Sequence, residues 1–311
     1  MTDAKEAILL LGPVPQDLRS ALADRYELVE DKPAEGARPG FRIAVTTAMG
    51  GATEAQFARL PDLKLLSSMG TGLDRLDLPA AAKRGIAVAY TPDEMTEDVA
   101  DAAIGLMYAA ARRIAEADRF VRAGRWGAER MSPSISLHRK AVGVVGMGRI
   151  GTSIAQRCAG LGMNVAWTGP RPKPDLPWTF VPDLHALAER SDVLILAVPS
   201  SAETERMVGA AILSALGPRG ILVNIARGSA VDEPALLDAL ESGAIAAAGL
   251  DVFAKEPGLD PRFLKLENVV LEPHSASITH ETRAAVVSRV LGDIEAFREG
   301  RPFLNAAAGG G

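Results

Sequence analysis

Cysteine is nearly absent: Cys158 is the one thiol in 311 residues. That excludes an internal disulfide and any zinc site built from cysteines. Cys158 falls within a helical pattern, where a packed, inert thiol is the plain reading. Long hydrophobic runs are missing too. The N-terminal run Ala7-Ile8-Leu9-Leu10-Leu11 is too short for the core of a secretion signal, and no stretch reaches the about 20 apolar residues that span a bilayer. A cytoplasmic protein with no membrane partner is expected. Nor does charge of one sign dominate. The formal net charge is −5 with Lys and Arg scattered, so there is no basic footprint for nucleic acid. Histidines number four, which makes the search for a general acid a short one. No metal site is expected.

Hydrophobic residues make up 48% and charged residues 23% of the chain, the balance of a soluble globular protein. The length accommodates two domains, each with its own core. Strand patterns at Ala7–Leu11, Arg42–Thr46, Leu63–Ser67 and Ile86–Ala89 alternate with helical patterns at Asp17–Asp24, Glu54–Leu60 and Pro79–Arg84. One alanine-rich helix is predicted over 97–122, followed by a loop to Lys140. Strands return at Val142–Val145, Met163–Trp167, Val193–Val198, Gly220–Asn224, Ala246–Leu250 and Asn268–Leu271. A long amphipathic helix is predicted over 281–298, and the tail Asn305–Gly311 reads as loose. Such alternation specifies parallel sheets covered by helices. The expected fold class is therefore α/β, with two doubly wound parallel-sheet domains.

The stretch richest in information is Val142-Gly143-Val144-Val145 running into Gly146-Met147-Gly148-Arg149-Ile150-Gly151 and then the helical run Thr152–Leu161. In a G-x-G-x-x-G of this context the first glycine permits the tight turn and the second lets backbone approach a pyrophosphate. The third lets helix pack on strand, and the helix N-terminus presents N–H groups to the phosphates. The bland alternative is a glycine-rich turn that binds nothing; the flanking strand and helix favour a nicotinamide dinucleotide. NAD selectivity commonly places an acid at the end of the next strand, about 20 residues on. Here that place reads Thr168-Gly169-Pro170-Arg171-Pro172-Lys173, with no acid until Asp175. Arg171 and Lys173 suit a 2′-phosphate, so NADP(H) is favoured, with NAD(H) possible.

In doubly wound sheets ligands sit beyond the carboxyl ends of the strands. Arg227 follows the strand Gly220–Asn224 and can grip a carboxylate bidentately, or form a surface ion pair. Asp251 follows Ala246–Leu250 and Glu256 lies in the next loop; Asp251 could equally cap a following segment. Of the histidines, His274 ends Asn268–Leu271 through Glu272-Pro273, whereas His138, His185 and His280 lie on a loop, a helix and a helix start. Position favours His274. An arginine, a carboxylate and a histidine at successive strand ends form a constellation.

Along almost its whole length the chain resembles the D-isomer-specific 2-hydroxyacid dehydrogenase family. The resemblance is carried by Gly70-Thr71-Gly72-Leu73-Asp74, Thr91-Pro92-Asp93-Glu94-Met95-Thr96-Glu97-Asp98-Val99-Ala100-Asp101, the glycine fingerprint, Asn224-Ile225-Ala226-Arg227-Gly228, Gly249-Leu250-Asp251-Val252-Phe253 and Pro273-His274. It is most similar to the glyoxylate/hydroxypyruvate and hydroxyphenylpyruvate reductase branch. The resemblance implies a Rossmann cofactor domain, 98–281, inserted into a flavodoxin-like substrate domain, 1–97 with 282–311. It implies Arg227, Glu256 and His274 as catalytic residues. Gly70, Thr71 and Gly72 would bind substrate with Arg227 and His274, and Asp251 would lie near the nicotinamide. The expected cofactor contacts are Val99, Gly146, Met147, Gly148, Arg149, Ile150, Gly151, Gly169, Arg171, Val198, Pro199, Ile225, Ala226, Asp251, Ser275 and Ala276. A homodimer is implied, with the 97–125 region at its interface. One departure stands out: the family usually has glycine in place of Ser275 or Ala276.

The chemistry expected is reduction of a small 2-oxo acid (glyoxylate, hydroxypyruvate or an arylpyruvate) to the D-2-hydroxy acid. Arg227 would hold the carboxylate and polarise the carbonyl, and His274 would donate the proton. Glu256 would orient the ring and favour its imidazolium form. Two other readings stay open: a dehydrogenase-like binding protein that senses cofactor, and an NAD-dependent phosphoglycerate dehydrogenase. Pocket side chains such as Met69, Trp126 and Met131 do not identify the acid from sequence.

Overall fold

The computed structural model describes residues 5–32 and 36–307. The chain divides into two units, Met1–Met95 with Ile278–Gly311, and Thr96–Ser277. The first unit opens with β1 (Ala7–Leu10), α1 (Gln16–Ala23), β2 (Glu27–Glu30) and β3 (Ile43–Thr47), and continues with α2 (Glu54–Arg59), β4 (Leu65–Met69), α3 (Leu78–Lys83) and β5 (Ala87–Tyr90). Its strands are all parallel, in the order β2-β1-β3-β4-β5, the flavodoxin-like arrangement. Short helices start where polar side chains satisfy their first N–H groups: Thr53 and Gln56 form a reciprocal capping box at α2, and Asp77 caps α3. Each cap is worth about 1 kcal/mol. Phe57, Leu60, Leu66, Val88 and Leu9 pack together on one face of the sheet.

The second unit begins with α4 (Thr96–Arg112) and α5 (Ile114–Arg122), then β6 (Ala141–Val145), α6 (Arg149–Gly160), β7 (Asn164–Thr168) and β8 (Thr179–Phe180). It continues through α7 (Leu184–Glu189), β9 (Val193–Leu196), α8 (Ala210–Leu216), β10 (Ile221–Asn224), α9 (Glu233–Ser242), β11 (Ala247–Leu250) and β12 (Val269–Leu271). The parallel order is β12-β11-β10-β9-β6-β7-β8, a doubly wound Rossmann sheet that reverses direction between β6 and β9. Strands β9, β10 and β11 are buried at every residue, as a sheet covered on both faces requires. Gly249 in β11 admits α4 closely: a Cβ there would lie 2.9 Å from the Leu106 Cβ. The chain then returns to the first unit as α10 (His280–Arg298), capped by Thr279. No helix among the described residues is long and apolar enough to cross a membrane.

Four expectations need correction. The single helix over 97–122 is two helices, because Arg113 adopts a left-handed φ of 54° between them. There its guanidinium bonds Glu116 at 2.5 Å and the Ser132 carbonyl at 3.4 Å, so the break is held by polar contacts. The edge strands β2 and β8 were not foreseen: Glu-Leu-Val-Glu carries charge at both ends of β2, and β8 has two residues. α10 buries a helical stripe, but that stripe includes Thr282 and Asp293 with its apolar members, so it is less amphipathic than expected. Finally, the tail starts out tied. Ala307 N–H donates to the Val88 carbonyl at 2.9 Å and Ala306 bridges Ala89; residues 308–311 lie outside the described residues.

Candidate active site

At the end of β10 the buried Asn224 folds the chain back on itself. Its Nδ2 donates to the Arg227 carbonyl at 2.9 Å and its Oδ1 accepts from the Ala226 N–H at 3.0 Å. This Asx-type turn presents Arg227 in an extended conformation. One Arg227 guanidinium nitrogen donates to the Ala226 carbonyl at 2.8 Å. Gly228 is required next, since a Cβ there would lie 1.9 Å from the Phe253 backbone. The Arg227 turn therefore rests directly on the loop that follows β11.

That loop carries Asp251 and Glu256. Glu256 Oε1 accepts the Phe253 N–H at 2.9 Å, and Oε2 lies 2.7 Å from His274 Nδ1. With Nδ1 engaged, the ring presents Nε2 on its other side. His274 sits at the end of β12 with φ 53°, a left-handed conformation that costs energy unless its surroundings enforce it. Asp251 enforces it. Its carbonyl accepts the His274 N–H at 2.9 Å, and its carboxylate accepts the N–H groups of Ser275 at 2.6 Å and Ala276 at 3.2 Å. Neither Ser275 nor Ala276 has a positive φ, so the absence of glycine costs nothing there. Burial pushes the Asp251 carboxyl above the usual carboxylate range, and the two N–H groups oppose that shift. Glu272 is also raised, by burial first and by Asp251 second. Of these carboxyl groups, Glu256 meets the imidazole itself and Asp251 holds the backbone that carries it.

The fingerprint turn follows β6 at the point where the sheet reverses. Gly146 has φ 92°, and a Cβ on Gly151 would lie 1.9 Å from the Gly146 carbonyl oxygen. Gly148 caps α6 and has open space where a side chain would stand. Those glycine requirements fit a dinucleotide: close helix packing, a tight turn and room for a pyrophosphate at a helix N-terminus. Met147, Arg149 and Ile150 complete the turn. Val198 and Pro199 follow β9, Ile225 and Ala226 follow β10, and Ser275 and Ala276 follow β12, all at the same carboxyl edge; Val99 lies on α4. Beyond β7, Gly169 leads to an exposed Arg171, while Lys173 Nζ donates to the Met147 carbonyl at 2.6 Å. The lysine is thus tied to the fingerprint turn itself.

In the first unit, Gly70 has φ 129° and its absent Cβ would meet the Ala48 Cβ at 2.6 Å. Its N–H donates to Thr91 Oγ1 at 2.8 Å, and Thr71 follows it at the end of β4.

The chain matches the family described as D-isomer specific 2-hydroxyacid dehydrogenase, NAD binding domain, over residues 104–276. It is 39% identical to glyoxylate/hydroxypyruvate reductase A of Arabidopsis thaliana, covering 96% of this chain and 97% of that one. The chain belongs to the D-isomer specific 2-hydroxyacid dehydrogenases. The dehydrogenase is also 41% identical to a 2-ketogluconate reductase of Gluconobacter oxydans, over 97% of this chain and 98% of that one. Among solved structures, it resembles an NADPH-dependent glyoxylate/hydroxypyruvate reductase of Sinorhizobium meliloti in complex with NADP and malonate. That likeness has a TM-score of 0.92 and 37% identity, over 99% of this chain and 98% of that one.

Of the sequence-predicted residues, the second unit brings Glu256, His274, Asp251, Ser275 and Ala276 into one hydrogen-bonded group. Arg227 joins that group through the packing of Gly228 on Phe253. His185 instead lies 3.6 Å from Glu189 on α7, and His280 opens α10. One positioning residue escaped the sequence reading. Asn224 lay inside a quoted motif, and an asparagine ending a buried strand two residues before an alanine N–H is the signal for its turn.

Proposed function

We propose that this dehydrogenase is an NADP(H)-dependent reductase of small 2-oxo acids, yielding the D-2-hydroxy acid. The observation that carries the reading is the His274 Nδ1–Glu256 Oε2 pairing at 2.7 Å, which commits one ring nitrogen to a carboxylate and leaves Nε2 for substrate. A nicotinamide dinucleotide, which the Gly146–Gly151 turn would hold, would supply the hydride when bound. His274 delivers the proton from Nε2 to the carbonyl oxygen, and Glu256 keeps the Nδ1 proton in place and offsets the imidazolium charge. Arg227 receives the substrate carboxylate and fixes the carbonyl, with backbone N–H groups around Thr71 and Gly72 as further donors. Asp251 acts through backbone, holding the turn from which His274 projects. For the cofactor, the absence of an acid after β7 and the exposed Arg171 support a 2′-phosphate, in keeping with the NADP found in the Sinorhizobium relative.

The names of the relatives span glyoxylate, hydroxypyruvate, hydroxyphenylpyruvate and 2-ketogluconate, so the substrate class is a 2-oxo acid with a variable substituent. The same reading includes a cytoplasmic homodimer. The exposed apolar side chains Ile114, Val121 and Trp126, 53%, 53% and 70% accessible, support a partner surface around α5.

The deciding experiment measures initial rates with NADPH and with NADH against glyoxylate, hydroxypyruvate, 4-hydroxyphenylpyruvate and 2-ketogluconate. A strong NADPH preference with at least one acid is expected. Cofactor binding without turnover of any acid would overturn the enzymatic reading in favour of a cofactor-sensing protein.

A further inference from the structure

The loop Gly70-Thr71-Gly72 is not held by β4 alone. Gly70 exchanges two hydrogen bonds with Thr91: its N–H donates to Thr91 Oγ1 at 2.8 Å, and Thr91 N–H donates to its carbonyl at 3.1 Å. Thr71 Oγ1 donates to Met95 Sδ at 3.6 Å. Thr91 is fully buried. The loop therefore takes its position from residues 91–95, the last of the first unit before the chain enters the second.

Residues 93–94 are in turn fastened to the C-terminal part of the same unit. Thr282 Oγ1 donates to the Glu94 carbonyl at 3.2 Å, and Arg289 Nε donates to Glu94 Oε1 at 2.6 Å. Asn305 Nδ2 donates to Asp93 Oδ2 at 3.0 Å. Thr282 and Arg289 are seven residues apart, about two helical turns, so one face of α10 grips Glu94 by both backbone and side chain. The Glu94 side chain is 8% exposed. Among the described residues its Oε2 has no hydrogen-bond partner, nor has the buried Oδ2 of Asp293, one turn beyond Arg289. Two buried carboxyl groups beside one guanidinium are a poor way to stabilise a fold, since an apolar trio of similar volume would serve better. What the Glu94–Arg289 pair does fix is the place of residues 91–95 against α10.

We propose that Glu94 and Arg289 are positioning residues for catalysis. Their ion pair, its carboxylate buried and its guanidinium half-buried, sets the 91–95 segment and, through Thr91 and Met95, the backbone donors of the Gly70–Gly72 loop. The inference rests on the reading that this loop receives the substrate carboxylate.

The test compares wild type with Arg289→Met, Glu94→Gln, the double variant Glu94→Leu/Arg289→Leu, and Gly72→Pro, which deletes a backbone donor from the loop itself. Kinetics are read with glyoxylate and hydroxypyruvate at saturating NADPH, alongside NADPH binding by fluorescence and hydrogen exchange of the 66–75 peptide. Arg289→Met should raise KM about tenfold or more with a smaller change in kcat, because misplaced donors weaken binding in ground and transition state alike. NADPH affinity should stay unchanged, and the 66–75 peptide should lose protection while β1 and β3 keep theirs. Glu94→Gln retains an oxygen for Arg289 Nε and should restore most of both readouts. If Arg289→Met does not fold, the uncharged double variant carries the same expectation. Wild-type KM or unaltered 66–75 protection in a folded uncoupled variant overturns the proposal, as does loss of protection spread evenly over the unit. Should Gly72→Pro raise KM where the uncoupled variants do not, the anchor is refuted and the loop reading survives. Wild-type KM in Gly72→Pro removes the loop reading, and the anchor's role in catalysis with it.

Discussion

Asp293→Asn is the perturbation whose size the structure sets most directly. Asp293 is 2% exposed on α10, and burial, opposed by Arg289 and reinforced by Glu94, pushes its carboxyl up to about 6 from an ordinary 3.8. The folded chain thus holds this proton where the unfolded chain releases it. The contribution to stability is complete below pH about 4 and is lost as pH rises through about 6. A shift of roughly two units corresponds to about 3 kcal/mol. Asparagine cannot titrate, so stability of Asp293→Asn relative to wild type should climb by about that amount between pH 4 and pH 7 and then stay level. Any constant penalty for the amide cancels in the comparison across pH. The three tryptophans, Trp126, Trp167 and Trp178, all lie in the second unit, so fluorescence is the wrong probe. Hydrogen exchange of α10 peptides, taken at several pH values for both proteins, reads the right unit. A variant-minus-wild-type difference that is flat from pH 4 to pH 7 refutes the reasoning, because it would mean that Asp293 ionises in the fold as it does in water.

Other perturbations probe the second unit. His274→Gln should lower kcat by about 10²–10⁴, the usual worth of a general acid, with NADPH affinity unchanged; a wild-type rate removes His274 from the chemistry. Gly151→Ala forces a methyl to within 1.9 Å of the Gly146 oxygen, so it should abolish NADPH binding by fluorescence titration and lower the melting temperature. Arg171→Ala should raise KM for NADPH about tenfold or more while leaving KM for NADH alone; equal effects on both would show that Arg171 does not read the 2′-phosphate.

The parts of the fold legible in sequence were those where one physical requirement dominates. Strands β6, β9, β10 and β11 are buried on both faces, so their apolar runs stand out, and the fingerprint glycines are demanded by steric contact. β2 and β8 lie at sheet edges, where no such burial is needed, and their sequences carry no comparable signal. The break at Arg113 escaped notice because alanine-rich helix propensity continues through it, while Glu116 and Ser132, which hold it, are visible only in three dimensions. The strand-end rule found Arg227 and His274. It could not find Glu94, which the fold joins to Arg289 across a separation of 195 residues.

Asp251 shows why strand-end position ranks residues without assigning their work. Its place after β11 marks it as a site residue, and resemblance sets it near the nicotinamide. Yet both its carboxylate oxygens accept backbone N–H groups, from Ser275 and Ala276, and its carbonyl accepts a third from His274. A carboxylate so engaged commits both oxygens to the shape of the His274 turn. The left-handed residue in that turn is the histidine itself, so glycine is not needed after it. The departure at Ser275-Ala276 and the burial of Asp251 then have one physical account: the acid supplies the constraint on the loop, and the histidine carries the strain at the point from which its ring must project.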